Sequence, residues 1–402
     1  MTYRRTAAVK LNQQPLGGRI FTKPFLVALF VFLVSIPVII WRFSVGLGPS
    51  TALSDGYPWG LWIAFDVVTG TALASGGFAV ALLVFILNRW RYHPLVRPAL
   101  LTAALGYSIA IFSLIVDVGR PWNFWKVPFF WGDWNLHSPL LEVALCIAAY
   151  TVILWVEVSP VFLERMEQSR REGLRRFATR VTNILYRVLP WLIALGVLLP
   201  MMHQSSLGTL MVLTGSKLHP LWQTPILPLL FVISSFAMGL GAVIVESMLA
   251  NYFFRRPLEG PMLRRLARVG AYALGGFLLL RFGDLAVRGE LGAAFGFDSR
   301  SVMVLAESLV FVVGIAMLLS KSRAADPGQL MRAAITICVA GGLYRFNAFI
   351  IAFKPGPGWS YFPSVPELVI TLGLIALEIM AYLVLVQRFP VLRGLKPAAA
   401  KS

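Results

Sequence analysis

Ten apolar runs, each long enough to cross a bilayer, leave this chain few folds to choose from. A transmembrane helix needs about 20 predominantly apolar residues. Such runs lie near 24–44, 59–88, 97–117, 138–163, 181–201, 222–250, 264–289, 300–320, 330–352 and 366–389. They are too long for barrel strands and show no alternation, so each must satisfy its own backbone hydrogen bonds as a helix. The expected fold is an all-α integral membrane protein of about ten transmembrane helices. Residues 1–23 make a basic leading segment, 24–389 the polytopic domain and 390–402 a tail. The first run is too long for the apolar core of a cleavable signal, so it is expected to stay as a helix. Only 13% of residues are charged, about half the usual share of a soluble protein.

The net charge of +18 raises nucleic acid as a partner, but its distribution argues for topology instead. With the N-terminus placed in the cytoplasm, the inner segments hold 26 Lys and Arg and the outer connections seven. That bias is the positive-inside signature and predicts that both termini are cytoplasmic. No soluble domain stands out, and the longest polar insert, around 159–180, is short and amphipathic. The outer connections are rich in Trp, Pro and Gly, as in GRPWNFWKVPFFWGDWN and FKPGPGWSYFPSVPEL. Aromatics are expected at headgroup level, but this much apolar surface with few charges also suits a docking face.

Ionisable residues inside the spans collect toward one membrane face: Asp66, Asp117, Glu142, His203, Arg281, Asp284, Glu307 and Arg345. A charge in hydrocarbon costs roughly 3 kcal/mol or more, so such residues usually face a bundle interior and work there. Asp66, in PWGLWIAFD, is expected about 10 Å below the outer end of its helix, where a buried carboxyl suits proton exchange. Asp117 and Arg120 in VDVGR, and Arg281 and Asp284 in LRFGD, are each three apart and predict helix-face ion pairs. Arg345 has no acid at helical spacing, so its partner must come from another helix. His203, in MMHQSSLG, reads as a polar cap on the fifth helix. Glu378 lies nearer the midplane, with Glu157 and Glu246 toward the inner ends, as stations for an inward proton path.

Asp66 and His203 are the candidates for proton transfer. Asp66, Glu142, His203, Arg281, Asp284 and Arg345 are the candidates for lining a polar ligand site. The four histidines, His93, His137, His203 and His219, all fall outside the expected span interiors, which argues against a bis-histidine haem. Cys146 and Cys338 are isolated, too few for an iron–sulfur cluster, and no zinc spacing occurs. The expectation is therefore no haem, no iron–sulfur cluster and no metal site in this protein.

PWGLWIAFD, HPLVRPALL, DVGR, MHQSSLG, KLHPLW, LRFGD and FNAF…PGPGWSYFPSVPEL together resemble the membrane subunits of periplasmically oriented nickel–iron hydrogenases. Those subunits belong to the NrfD/polysulfide-reductase membrane-subunit family, and the resemblance runs from about residue 14 to 390. It implies two four-helix bundles plus two peripheral helices in a bacterial cytoplasmic (inner) membrane. It also implies a quinone, menaquinone or ubiquinone, as exchangeable substrate near the periplasmic side. The implied partners are a periplasmic ferredoxin-like iron–sulfur subunit and the hydrogenase small and large subunits, with no nucleic acid. Electrons would pass between periplasmic clusters and the quinone pool. Two rivals remain: the same role beside a different periplasmic oxidoreductase, and a secondary transporter using the buried charges.

Overall fold

The computed structural model describes residues 13–320, 326–392 and 394. The first half of the basic leading segment and most of the tail lie outside those described residues. Among the described residues, ten helices are long and apolar enough to cross a membrane: α1 Lys23–Val45, α2 Trp62–Ile86, α3 Trp90–Asp117, α4 Pro139–Glu167, α5 Glu172–Leu213, α6 Leu227–Phe254, α7 Gly260–Val287, α8 Ser299–Leu319, α9 Pro327–Ile351 and α10 Val365–Arg388.

Local chemistry sets several of these starts. The Ser138 side chain accepts from Leu141 N at α4, Asp298 from Ser301 N at α8, and Asp326 from Gly328 N and Gln329 N at α9. Ser364 and Glu367 form a reciprocal capping box at α10. These side chains satisfy amides that have no partner inside the helix.

Two expectations about helices need correction. The fifth helix, expected at 181–201, runs from Glu172 to Leu213. The polar stretch around 159–180 is not an insert; it is the last turns of α4 and the first of α5, joined by a short turn. Arg42, one of the seven basic residues counted in the outer connections, is a buried residue of α1 whose guanidinium donates to Val118 O at 2.9 Å.

Packing runs in closed circuits. α2 lies against α3, α3 against α4, α4 against α5, and α5 returns to α2. α6, α7, α8 and α9 contact one another in the same cyclic way, while α1 packs on α10 and α10 on α3. α2 and α6 also meet directly through glycines. A Cβ on Gly239 would lie 2.6 Å from backbone atoms of Ser75 and Gly76, so both helices need bare backbone there.

The helix ends fall on two unlike faces. Connections 87–89, 168–171 and 255–259 are short, whereas 46–61, 118–138, 214–226, 288–298 and 352–364 are longer. The long loops interlock: Lys354 N donates to Lys217 O at 2.6 Å, His219 N to Ala352 O at 2.8 Å, and Arg288 Nη1 to Pro220 O at 2.9 Å. The eight ionisable residues singled out in the spans all lie nearer this long-loop face.

Candidate functional site

Two of the helices that carry the polar layer are locally over-wide. α2 is π-helical over Trp62–Thr69, and α9 over Asn347–Ile351. Such turns are rare and recur at functional sites. Thr69 Oγ1 fills the wide turn by donating to Ala64 O, five residues back, at 2.9 Å. Nothing in the apolar pattern signals these turns, and sequence reading misses them.

The layer resolves into three knots. The first joins α1, α2, α3 and α10. Asp66 is buried, and its Oδ2 accepts from Thr371 Oγ1 at 3.0 Å, with Ser113 of α3 also close by. Asp117 lies in electrostatic range of Asp66, Glu367 and Arg42. Its expected helix-face pair with Arg120 does not form among the described residues, because α3 ends at Asp117 and Arg120 lies beyond it. Glu367, which sequence reading passed over, is fully buried and accepts from Ala52 N, Ser364 N and Tyr361 OH at 3.0, 2.9 and 2.6 Å. Burial and the Glu367 carboxylate push the Tyr361 phenol well above its ordinary value, so it stays a donor. The S-x-x-E spacing of Ser364 and Glu367 was the signal that could have found this acid.

The second knot joins α7, α8 and α9. Arg281 pairs with Glu307, and Asn347 Nδ2 donates to the other carboxylate oxygen at 2.6 Å. The guanidinium also sits 4.9 Å from the Tyr344 ring centroid. The expected Arg281–Asp284 pair is therefore replaced: Asp284 instead binds Arg288, four residues on, at 2.7 Å. Arg281 turns inward to Glu307, and Asp284 outward to the loops.

The third knot lies between α2, α3, α5, α6 and α9. His203 is fully buried ten residues before the end of α5, so it sits within the helix and does not cap it. Thr71 Oγ1 donates its one hydrogen to Val67 O at 2.6 Å, so it can only accept from Gln204 Nε2 at 3.0 Å and His203 Nε2 at 3.3 Å. That network puts the imidazole hydrogen on Nε2. Nδ1 has no well-formed hydrogen bond, and the Val143 backbone is among the polar groups around the imidazole. Tyr107 packs edge-on to the imidazole at 5.6 Å.

Arg345 is fully buried within electrostatic range of His203 and Tyr107. Its partner does come from other helices, but it is not an acid. Nη2 donates to Phe231 O at 2.6 Å and Ser234 Oγ at 3.1 Å, and the group lies 4.5 Å from the Phe231 ring centroid. Among the described residues it has no ion pair. A buried cation without an anion is costly, which keeps Arg345 among the candidate site residues.

The candidate residues are thus neighbours in depth but not members of one pocket. Asp66 faces α10 and α3, while His203 and Arg345 gather on the other side of α2. Glu142 is half-buried in the first turn of α4 and joins none of the three knots. Toward the short-loop face, Tyr382 OH donates to Glu246 at 2.7 Å. Glu246 also lines a partly open, apolar cavity of about 640 Å³ between α2, α6 and α9, with Thr102 of α3 and Tyr382 of α10 at its edge.

Residues 49–345 match the family model described as "Polysulphide reductase, NrfD". The protein belongs to the NrfD family. It is 39% identical over 390 residues, 96% of each sequence, to the "Probable Ni/Fe-hydrogenase 2 b-type cytochrome subunit" of Escherichia coli (strain K12). It is 34% identical over 165 residues to the "Menaquinone reductase, integral membrane subunit" of Nitratidesulfovibrio vulgaris (strain ATCC 29579 / DSM 644 / CCUG 34227 / NCIMB 8303 / VKM B-1760 / Hildenborough), covering 40% of this sequence and 37% of that one. A polysulfide reductase component of Wolinella succinogenes (strain ATCC 29543 / DSM 1740 / CCUG 13145 / JCM 31913 / LMG 7466 / NCTC 11488 / FDC 602W) is 26% identical over 199 residues, 46% of this sequence and 57% of its own.

The first of these names overturns the expectation of no haem, because a b-type cytochrome is a haem protein. The premise behind that expectation fails as well. His203 is a buried histidine inside a transmembrane helix, with an imidazole nitrogen left without a well-formed bond. His203 is the one buried imidazole that would be offered to haem iron, and Nε2 would have to leave Thr71 to do so; His93, His137 and His219 lie at helix starts or in loops.

Proposed function

We propose that this NrfD-family protein is the quinone-reactive membrane subunit and anchor of a respiratory hydrogenase. In this reading electrons pass between periplasmic iron–sulfur clusters, held by a ferredoxin-like subunit beside the hydrogenase small and large subunits, and a quinone in the inner membrane. α2–α5 and α6–α9 then act as two four-helix bundles, with α1 and α10 at their side. The termini are cytoplasmic, and the long-loop face is periplasmic.

The observation that carries the reading is the buried layer itself: a carboxyl at Asp66, an imidazole at His203 and an unpaired guanidinium at Arg345, all below one face. Quinone reduction takes two electrons and two protons, so the protein must supply protons and a polar setting for the ring carbonyls. Asp66, already hydrogen-bonded through Thr371, can exchange a proton. Arg345 holds a fixed positive charge where reduction adds negative charge, while the Arg281–Glu307 pair, Asp284 and Glu142 lie toward the same face but stand apart from it. His203 is the side chain that would hold a haem, a group that supplies one-electron transfer when bound.

The relatives named for menaquinone reductase and polysulfide reductase favour a second reading, in which the same membrane chemistry serves a different periplasmic catalyst. Co-purified partners separate the two. For the mechanism, Asp66→Asn in the assembled complex keeps shape and hydrogen bonding but removes the exchangeable acid. Quinone reduction should fall roughly 100-fold while reduction of a soluble dye by the partner persists. Undiminished quinone reduction in an intact complex would make Asp66 a structural acid.

A further inference from the structure

At 1.5 Å per residue, the 42 residues of α5 span about 63 Å, twice the roughly 30 Å of a hydrocarbon core. The C-terminal half, ending under the long loops, is enough to cross. The N-terminal half therefore overshoots at the short-loop side, and its sequence is not that of a water-facing helix. Ala178, Leu185 and Leu192 pack it onto Leu163 of α4. A second apolar line, Leu174, Phe177, Ile184, Val188 and Trp191, is left uncovered, with Phe177 56% and Trp191 75% exposed.

Beside that line, Arg176, Arg180, Asn183 and Arg187 recur at four, three and four residues, with Arg175 and Thr179 adjoining. Together with Ile184 they line a surface concavity of about 570 Å³. The acid on this stretch, Glu172, binds Arg176. Arg175, Arg180 and Arg187 have no ion pair among the described residues.

We propose that the first half of α5 is a seat for an anionic phospholipid. Its uncovered apolar line meets acyl chains, and its arginine groove takes the phosphate. Aromatic and aliphatic residues beside a row of arginines, where a crossing helix leaves the hydrocarbon, are the pattern that meets acyl chains on one side and anionic headgroups on the other. Guanidinium groups suit phosphate because their planar fork donates two parallel hydrogen bonds. Trp191 and Tyr186, both exposed, supply the aromatic markers of headgroup depth. A second copy of this protein is a poorer occupant, since pairing the apolar lines would bring two arginine stripes together.

The test is native mass spectrometry of the full-length protein in mild detergent, with phosphatidylglycerol, phosphatidylcholine or inorganic phosphate added. Phosphatidylglycerol should be retained at least tenfold better than phosphatidylcholine. The triple variant Arg176→Gln/Arg180→Gln/Arg187→Gln should abolish that preference, whereas the matching triple Lys variant should keep most of it. Equal retention of the two lipids, an unaffected Gln variant, saturation by inorganic phosphate alone, or dimers lost in the Gln variant would each overturn the proposal.

Discussion

Arg281 and Arg345 carry the same charge, buried to the same degree, in opposite company. Arg281 has a carboxylate partner in Glu307, so removing either one strands a buried charge. Arg281→Met or Glu307→Leu alone should lower stability by about 3–5 kcal/mol, and the double variant by much less. Thermal unfolding of the four-member cycle in detergent measures this. Arg345 is held by carbonyl and hydroxyl oxygens without an acid, so Arg345→Met should leave stability nearly unchanged while quinone reduction collapses. A variant that loses stability and activity together would make Arg345 a structural residue.

His219 offers a pH test outside the membrane. Partial burial, and then the charges of Lys354 and Arg300, hold its imidazole below the ordinary histidine value. Its Nδ1 accepts from Leu221 N, and its own amide ties the loop to Ala352. A histidine with a lowered folded pKa takes up protons more readily when unfolded. Its contribution is complete above about pH 6.5 and is lost as pH falls from there toward the folded value. Amide exchange at Lys354, corrected for its intrinsic rate, should therefore quicken on acidification below that point, and His219→Asn should remove the pH dependence.

At the scale of elements, the crossing of α2 and α6 rests on two glycines with no room beside them. Gly239→Ala would drive a methyl group into the Ser75–Gly76 backbone, which cannot rotate away. The expected loss is about 1–3 kcal/mol, typical of overpacking, and is readable as a lowered melting temperature. Gly275→Ala, with open space around it, is the control and should change little.

The helices were legible because a hydrocarbon solvent permits so few backbones. Length and hydropathy therefore anticipated ten candidate membrane-crossing helices, although α3 begins seven residues before its expected start and α5 continues past both of its apolar limits. The site was less legible. Asp66, Arg281, Glu307 and Arg345 announced themselves by being charged within apolar runs. Their partners did not, because Thr371, Asn347 and Ser234 are ordinary residues given roles only by packing. The spacing rule that paired Arg281 with Asp284 failed for the same reason, since a tertiary acid outcompeted a local one.

For the molecule as a whole, the long-loop face presents more apolar surface than a headgroup belt requires. Phe129 and Trp131 are each 73% exposed, Phe362 is 82% exposed, and all three stand in connections beyond the helix ends. A belt residue needs only lipid around it, and its replacement costs little beyond local partitioning. An interface anchor inserts into a partner, and truncating one commonly costs about 2 kcal/mol or more, which is over tenfold in affinity. Because these side chains bury little in the isolated subunit, Phe129→Ser/Trp131→Ser should fold and insert normally. If the face docks the iron–sulfur subunit, co-purification of that partner should drop at least tenfold, and quinone reduction should fall with it. The equivalent change at Trp191 on α5, at the opposite end of the bundle, should leave partner recovery untouched. Full recovery of the partner with the loop variant would return these aromatics to the membrane interface and remove the basis for placing the partner on this face.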